Sequence, residues 1–224
     1  MIIRSLITLV CLGFCSHQIS AASDIGFDSN AIVAVKVTGQ NDFCSGVVVG
    51  ANEVLTATHC IYDLKSRTYY PSRMIAVGIG DNVENSNVQW FGVAEISSRP
   101  SATITTVSDF LGNDIVRITT ANVLPVTPVS IAPDAPSRLP SDSPLMAWGF
   151  GEDEWGYYGI KKSRQLENPT HEGSLIFFSS GACRGDSGGP VLNSRNQIVG
   201  IISVSKVRHC VSAGQRIAQR IVKP

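Results

Sequence analysis

Residues 185–190 read Gly-Asp-Ser-Gly-Gly-Pro, a serine set among glycines. Glycines beside a serine let backbone N–H groups approach a carbonyl oxygen without a side-chain clash, which an oxyanion hole requires. A glycine-rich turn without chemistry is the competing interpretation, because the chain contains 20 glycines. The stretch therefore makes Ser187 a candidate nucleophile only if a base and an acid can be found for it.

The order of residues along the chain excludes one known arrangement. The pattern G-x-S-x-G also forms the nucleophile elbow of α/β-hydrolases, where the acid and the histidine both follow the serine. No Asp or Glu occurs after Ser187 in this sequence. The elbow is therefore excluded, and a base and an acid must lie upstream.

Two upstream residues are candidates for the base and the acid. His59 follows the apolar stretch 54–58 and directly precedes Cys60, which could tether it. Asp114 follows a Gly-Asn turn and begins the segment Asp-Ile-Val-Arg-Ile. Taken singly, each has a plainer interpretation, since His59 could be an ordinary buried side chain and a turn Asp usually caps the local backbone.

Composition narrows the class of protein. The 224 residues include 18 Lys plus Arg and 18 Asp plus Glu, so the formal net charge is zero. This balance argues against a nucleic-acid partner, which would need a basic surface to follow phosphates. With 43% hydrophobic residues the chain can form one or two domains with ample cores.

Residues 1–22 have the pattern of a signal peptide. Arg4 is the single charge, an apolar run covers 6–15, and Ser20-Ala21-Ala22 supplies the small residues of a cleavage site. A membrane anchor is disfavoured, because that run is shorter than the roughly 20 residues of a spanning helix. We expect a secreted or periplasmic protein without stable membrane insertion.

Export changes how the cysteines are interpreted. Four of the six remain after cleavage, namely Cys44, Cys60, Cys183 and Cys210. An even number in an oxidising compartment indicates two disulfides, for which three pairings exist. No C-x-x-C spacing is present, so a zinc site is not expected, and nothing indicates another metal or a cofactor.

The apolar pattern predicts an all-β protein in two halves. Short runs rich in Val, Ile and Thr alternate with turn residues, as strands do; they cover 31–37, 46–49, 54–58, 74–79, 88–96, 115–118, 145–148 and 198–204. Six of the 11 prolines lie in 125–144, and proline cannot donate within a central sheet. We therefore expect all-β halves over 23–124 and 145–224, joined by a proline-rich connector, 125–144.

Taken together, three segments resemble the trypsin/chymotrypsin-type serine protease family. They are Thr-Ala-Thr-His-Cys at 56–60, Asn-Asp-Ile-Val at 113–116 and Gly-Asp-Ser-Gly-Gly-Pro at 185–190. Phe-Cys-Ser-Gly at 43–46 is similar to the family's Phe-Cys-Gly-Gly strand, and Trp148-Gly149 to its Gly-Trp-Gly segment. The resemblance implies two antiparallel six-stranded Greek-key barrels, with the active site in the cleft between them.

The resemblance also implies an activity and its residues. A secreted serine endopeptidase would use Ser187 as nucleophile, His59 as base and Asp114 to orient the imidazole, with the N–H groups of Gly185 and Ser187 as oxyanion hole. The implied disulfides are Cys44–Cys60 and Cys183–Cys210. Protein or peptide substrates are the expected partners, and a protein inhibitor or activator is a further candidate.

The implied specificity pocket departs from that of trypsin-like enzymes. Its residues are Gly181, Ala182, Ser203, Ser205 and Gly214. Gly181 stands where those enzymes carry an Asp, and no acid follows Asp186. A buried Lys or Arg of the substrate would lack a partner, which costs several kcal/mol. We therefore expect an uncharged pocket that takes a small or medium apolar side chain.

Activation is a second departure. Family members often free an Ile-Val-Gly-Gly terminus whose ammonium pairs with the Asp before the nucleophile, here Asp186, but this chain has no such motif. Either the mature terminus differs, or Asp186 pairs with another cation, or the enzyme rests in an inactive state. The last case is the alternative function, a protease-like fold locked inactive that acts as a binding or regulatory protein.

Overall fold

The computed structural model describes residues 27–97, 104–133, 144–205, 210 and 214–221, without the side chains of residues 107, 204 and 205. The predicted signal peptide, 1–22, lies outside the described residues, as does the part of the connector from 134 to 143. Within the described chain all regular structure is β-strand or short 3₁₀ helix, which confirms the all-β prediction. The 3₁₀ helices are Ser29–Ala31, Thr58–Cys60, Ser72–Met74 and Val107–Phe110. None of the described helices is long and apolar enough to cross a membrane.

The first half forms a closed six-stranded barrel. Its strands, together with a separate two-stranded hairpin of β4 and β5, are β1 (Ile32–Val37), β2 (Phe43–Val48), β3 (Glu53–Thr56), β4 (Tyr62–Asp63), β5 (Thr68–Tyr69), β6 (Ile75–Ile79), β7 (Gln89–Ser97) and β8 (Val116–Thr120). The barrel order is β1-β2-β3-β8-β7-β6, and every pair is antiparallel. Pairing of β3 with β8 brings together the segments that carry His59 and Asp114, because these segments adjoin the two strands.

The second half is a curled sheet of seven antiparallel strands. They are β9 (Met146–Gly149), β10 (Lys162–Gln165), β11 (Thr170–Glu172), β12 (Leu175–Phe178), β13 (Pro190–Leu192), β14 (Ile198–Ser205) and β15 (Arg216–Arg220). The order is β10-β9-β13-β14-β15-β12-β11. Pro190 begins its strand, a position that proline tolerates.

The strand count in this half differs from the expected six for a local reason. β10 and β11 follow each other in the chain yet form the two edges of the sheet. Between them Glu167 bridges to Ser180, Asn168 has a φ of 50°, and Pro169 follows. A positive φ followed by proline interrupts a strand. Segment 162–172 is thus one strand that is interrupted in the middle. Its first piece, β10, forms one edge of the sheet and its second piece, β11, forms the other, so the segment connects the two edges as a barrel requires.

The protein has two apolar cores, and the first extends from the barrel into the second half through Phe150, Leu192, Ile198 and Ile201. The strand faces that point inward carry branched aliphatic side chains, each contributing about 1.5–3 kcal/mol when fully buried. The first core includes Ile32, Val47, Val54, Val77 and Ile118, and the second includes Leu145, Ile176, Val191, Ile202 and Ala218. From the connector, the described part adds one parallel bridge, Ile131 to Ile198, and no strand.

The four cysteines form the disulfides that the resemblance implies. Cys44 is bonded to Cys60 and Cys183 to Cys210. The first joins β2 to the 3₁₀ helix that carries His59, and the second lies in the other half. By restricting the unfolded chain, each closed loop contributes about 3 kcal/mol to stability.

Candidate active site

His59 and Asp114 meet because they adjoin paired strands. His59 lies in the 3₁₀ helix directly after β3, and Asp114 lies two residues before β8. His59 Nδ1 is 2.7 Å from Asp114 Oδ2, and the backbone N–H of His59 donates to Asp114 Oδ1 at 2.9 Å. Asp114 is 0% exposed, whereas the His59 side chain is 25% exposed. The pair thus has a buried acid end and an accessible imidazole end.

The second half of the protein contributes two further bonds to Asp114. Ser203 of β14 donates its hydroxyl to Asp114 Oδ2. The backbone N–H of Asp114 donates to Gln219 Oε1 at 2.6 Å, and Gln219 Nε2 donates to the Gly112 carbonyl oxygen at 2.6 Å. Gln219 was not predicted from the sequence, where it stands between apolar residues and arginines in the segment 216–222. Together these contacts fix the orientation of the carboxylate.

Ser187 lies opposite this pair, in the turn between β12 and β13. Its Oγ donates to the Ser203 carbonyl oxygen at 3.2 Å. Ser187 and His59 line one cavity of about 300 Å³, together with Cys44–Cys60 and the rings of Tyr62 and Tyr158. The hydroxyl bonds a backbone acceptor here, and among the described residues no hydrogen bond joins it to His59.

The turn before Ser187 leaves two backbone donors unused. Gly185 has a φ of 95°, which favours glycine. Its carbonyl oxygen accepts from Ser45 Oγ at 2.7 Å, and the Ser187 carbonyl oxygen accepts from the Ser45 N–H at 2.7 Å. Within the described chain the N–H groups of Gly185 and Ser187 bond to no acceptor. Two unpaired N–H groups in one turn can both donate to an oxyanion.

Ser45 and Arg164 support this turn, and sequence analysis missed both roles. Ser45 stands where the resemblance leads one to expect glycine, so its extra hydroxyl was a readable signal. Arg164 Nη1 donates to Asp186 Oδ2 at 3.2 Å. Asp186 is 2% exposed; burial raises its pKa, while Arg164 and the N–H groups of Cys183 and Gly151 oppose that rise.

The expected pocket residues lie around a buried arginine. Gly181 has a φ of 111°, and an added Cβ would lie 2.5 Å from the Gln165 carbonyl oxygen, so this position excludes any side chain. Arg216 is 1% exposed and donates to the carbonyl oxygens of Ala182 at 2.6 Å and Gly214 at 3.1 Å. Sequence analysis did not anticipate this cation.

The two remaining pocket candidates are placed less simply. Ser203 directs its hydroxyl to Asp114, so only its backbone is left to line a pocket. Ser205 ends β14, and its side chain lies outside the described residues. The structure therefore brings Gly181, Ala182 and Gly214 together, whereas Ser203 belongs with the buried acid.

One group of potential metal ligands adjoins the site. Potential ligand atoms of Cys44, His59 and Cys60 lie within 4.8 Å of one another. Both sulfurs are joined in a disulfide, so neither is the thiolate that zinc would require. These residues do not fit a metal ion.

Known proteins resemble this chain in sequence and in fold. Residues 21–221 match the sequence model of the family described as Trypsin. A similar curated protein is a trypsin from Phaedon cochleariae, 26% identical over 187 residues that cover 72% of this chain and 68% of that protein. A similar solved structure is Glu endopeptidase in complex with MPD, with a TM-score of 0.66 and 20% identity, covering 86% of this chain and 85% of that one.

The solved structure, at 20% identity, supports the two-barrel fold alone. The sequence model reaches further, because it spans both barrels and all three segments that carry His59, Asp114 and Ser187. On that match, this chain belongs to the trypsin family.

Proposed function

We propose that the protein is a secreted serine endopeptidase that hydrolyses peptide bonds with His59, Asp114 and Ser187. The observation that carries this proposal is the 2.7 Å contact between His59 Nδ1 and the buried Asp114, with the other end of the imidazole in the cavity that Ser187 lines. An acid, a base and a nucleophile in series are the arrangement that activates a serine hydroxyl. The two disulfides fit an oxidising, extracellular compartment.

Each residue has one step in the proposed reaction. Ser187 Oγ attacks the peptide carbonyl carbon while His59 Nε2 takes its proton and then delivers it to the leaving amine. Asp114 keeps the Nδ1–H tautomer and stabilises the imidazolium. The N–H groups of Gly185 and Ser187 stabilise the oxyanion, each by roughly 3 kcal/mol. Water then releases the acyl group by the reverse sequence.

Labelling with a fluorophosphonate probe tests the proposal. Only a serine activated by a histidine attacks the phosphorus, so we expect one covalent adduct per chain, located on Ser187 by peptide mass spectrometry. The probe is applied to the folded, secreted protein, and the heat-denatured protein is the control. A folded protein that takes up no probe would contradict the proposal and support the locked, binding alternative.

We further propose that an uncharged pocket receives the substrate side chain that precedes the scissile bond. Gly181 and Ala182 carry no charge, and Gly181 has no space for the acid of trypsin-like enzymes. The guanidinium of Arg216 bonds the carbonyl of Ala182, so a positive charge adjoins this wall. A Lys or Arg of the substrate would lose its hydration there without gaining an acidic partner from Gly181 or Ala182.

A peptide-library digest measures this preference. We expect cleavage after small and medium apolar residues, with Lys and Arg disfavoured by at least about 100-fold, since an unpaired buried charge costs several kcal/mol. A protease that cleaves after Lys and Arg, applied to the same library, is the control for the accessibility of these sites. Dominant cleavage after Lys or Arg would contradict the pocket assignment. Dominant cleavage after Asp or Glu would also contradict it, and would assign specificity to the Arg216 charge.

A further inference from the structure

The carboxylate of Asp186 is enclosed by donors from three parts of the chain. Oδ1 accepts the N–H of Gly151 at 2.8 Å, and Oδ2 accepts the N–H of Cys183 at 2.8 Å. Arg164 of β10 completes the set, with Nη1 at 3.2 Å from Oδ2. The Asp186 side chain is 3% exposed and that of Arg164 is 20% exposed. The positive charge that pairs with Asp186 therefore comes from a side chain within the chain, Arg164.

Arg164 also bonds the backbone of segment 151–152. This segment contacts the nucleophile turn, residues 183–187. Arg164 Nη2 donates to the Glu152 carbonyl oxygen at 2.7 Å. The N–H of Glu152 in turn donates to the Arg184 carbonyl oxygen at 2.9 Å. One guanidinium thus joins a strand of the second barrel to the turn through the Asp186 side chain and through the backbone of 151–152.

We propose that Arg164 does, from within the chain, what a released amino terminus does in related proteases, so that the nucleophile turn is ordered without an activating cleavage. The inference rests on the proposed function. Arg164 touches no reacting atom and is a positioning residue, since it acts through Asp186 on the N–H groups of Gly185 and Ser187. Of the three alternatives left open by the missing Ile-Val-Gly-Gly motif, this selects another cation at Asp186.

Charge explains why a cation is needed at this place. Burial raises the pKa of Asp186, and the positive charges of Arg164 and, more weakly, Lys162 oppose that rise. An ionised carboxylate accepts stronger hydrogen bonds than a neutral acid. It therefore holds the N–H groups of Cys183 and Gly151, and so keeps Gly185 and Ser187 in the turn. Without Arg164 the buried charge would be uncompensated, and the turn would be free to rearrange.

The first experiment alters only the amino terminus. The secreted chain is prepared with a few Gly and Ser residues ahead of position 23, and mass spectrometry verifies that the extension survives the assay. We expect kcat for a fluorogenic peptide to equal that of the unextended chain within about twofold, because the cation at Asp186 is internal. Activity that develops only after the terminus is cut would overturn the proposal.

The second experiment alters the cation. Arg164→Met is expected to lower kcat by about 10²- to 10³-fold, the effect of a lost oxyanion donor, with KM little changed. Arg164→Lys should recover part of kcat because it keeps the charge. Arg117→Met is the matched control, since Arg117 pairs with Glu53 on the surface and should leave kcat unchanged. Equal kcat in the wild type and in folded Arg164→Met would overturn the proposal.

The outcomes separate this inference from the proposed function. If the extended and unextended wild-type proteins are both folded and neither takes up a fluorophosphonate, the protease assignment itself is wrong. If only a chain with a newly cut terminus takes up the probe, the protease assignment stands and the role of Arg164 falls. The extension experiment uses the unaltered core, so it remains decisive even if Arg164→Met fails to fold.

Discussion

Replacing Ser187 by alanine is expected to lower kcat for peptide hydrolysis by about 10⁶-fold, leaving only the catalysis that binding and the oxyanion donors supply. The loss is this large because Oγ is the atom that would form the acyl bond. The folded structure should survive, since within the described part of the chain the hydroxyl makes one hydrogen bond, to the Ser203 carbonyl oxygen, worth about 1 kcal/mol. A fluorogenic peptide assay gives kcat, and urea unfolding gives the free energy of unfolding.

Ser194→Ala is the matched control for this variant. Ser194 is exposed in the turn that follows β13, seven positions after Ser187, so its loss should leave both kcat and stability unchanged. Fluorophosphonate uptake should likewise persist in Ser194→Ala and vanish in Ser187→Ala. Undiminished turnover in a folded Ser187→Ala protein would rule out the proposed nucleophile.

Asp114→Asn is expected to lower kcat by about 10⁴-fold while KM changes little. The carboxylate of Asp114 faces three donors, which are the Nδ1 and backbone N–H of His59 and the hydroxyl of Ser203. An amide has one oxygen acceptor, so its NH₂ group must face at least one of them. The imidazole would then keep its proton on Nε2, where it cannot accept one from Ser187. KM should hold because Asp114 is fully buried and distant from solvent.

Stopped assays over a range of substrate concentrations separate kcat from KM for this variant. Asp81→Asn is the control, because Asp81 lies on the surface beside Lys161 and has no contact with His59. Its kcat should match that of the wild type. If kcat of a folded Asp114→Asn protein falls by less than tenfold, His59 does not depend on Asp114 for its tautomer.

Strands of the first barrel could be predicted because their pattern is local. All the runs from 31 to 118 overlap barrel strands, with ends that differ by up to three residues, since branched apolar residues fall on faces that are buried within each strand. The second barrel was harder to predict. β10, Lys162–Gln165, is polar and only partly buried, so it left no apolar signal. β15, Arg216–Arg220, is buried along its whole length despite its arginines and glutamine.

The supporting contacts of the site could not be predicted, for a reason of distance along the chain. Arg164 and Asp186 are 22 residues apart, Asp114 and Gln219 are 105 apart, and Ser45 and Gly185 are 140 apart. The first contact depends on how a strand and a turn of the second half come together, and the other two depend on how the two halves lie beside each other. A single sequence carries no periodicity or spacing from which such a placement follows.

By itself the sequence predicted the candidate chemistry, because the segments around His59, Asp114 and Ser187 occur together and in the order that resembles one protease family. It also determined the all-β class and the even set of cysteines. The tertiary structure alone decided which cation meets Asp186 and which side chains brace Asp114 and Gly185. Those choices follow from antiparallel pairing and the curling of two sheets, which bring distant polar groups into a dry interior where each must find a partner.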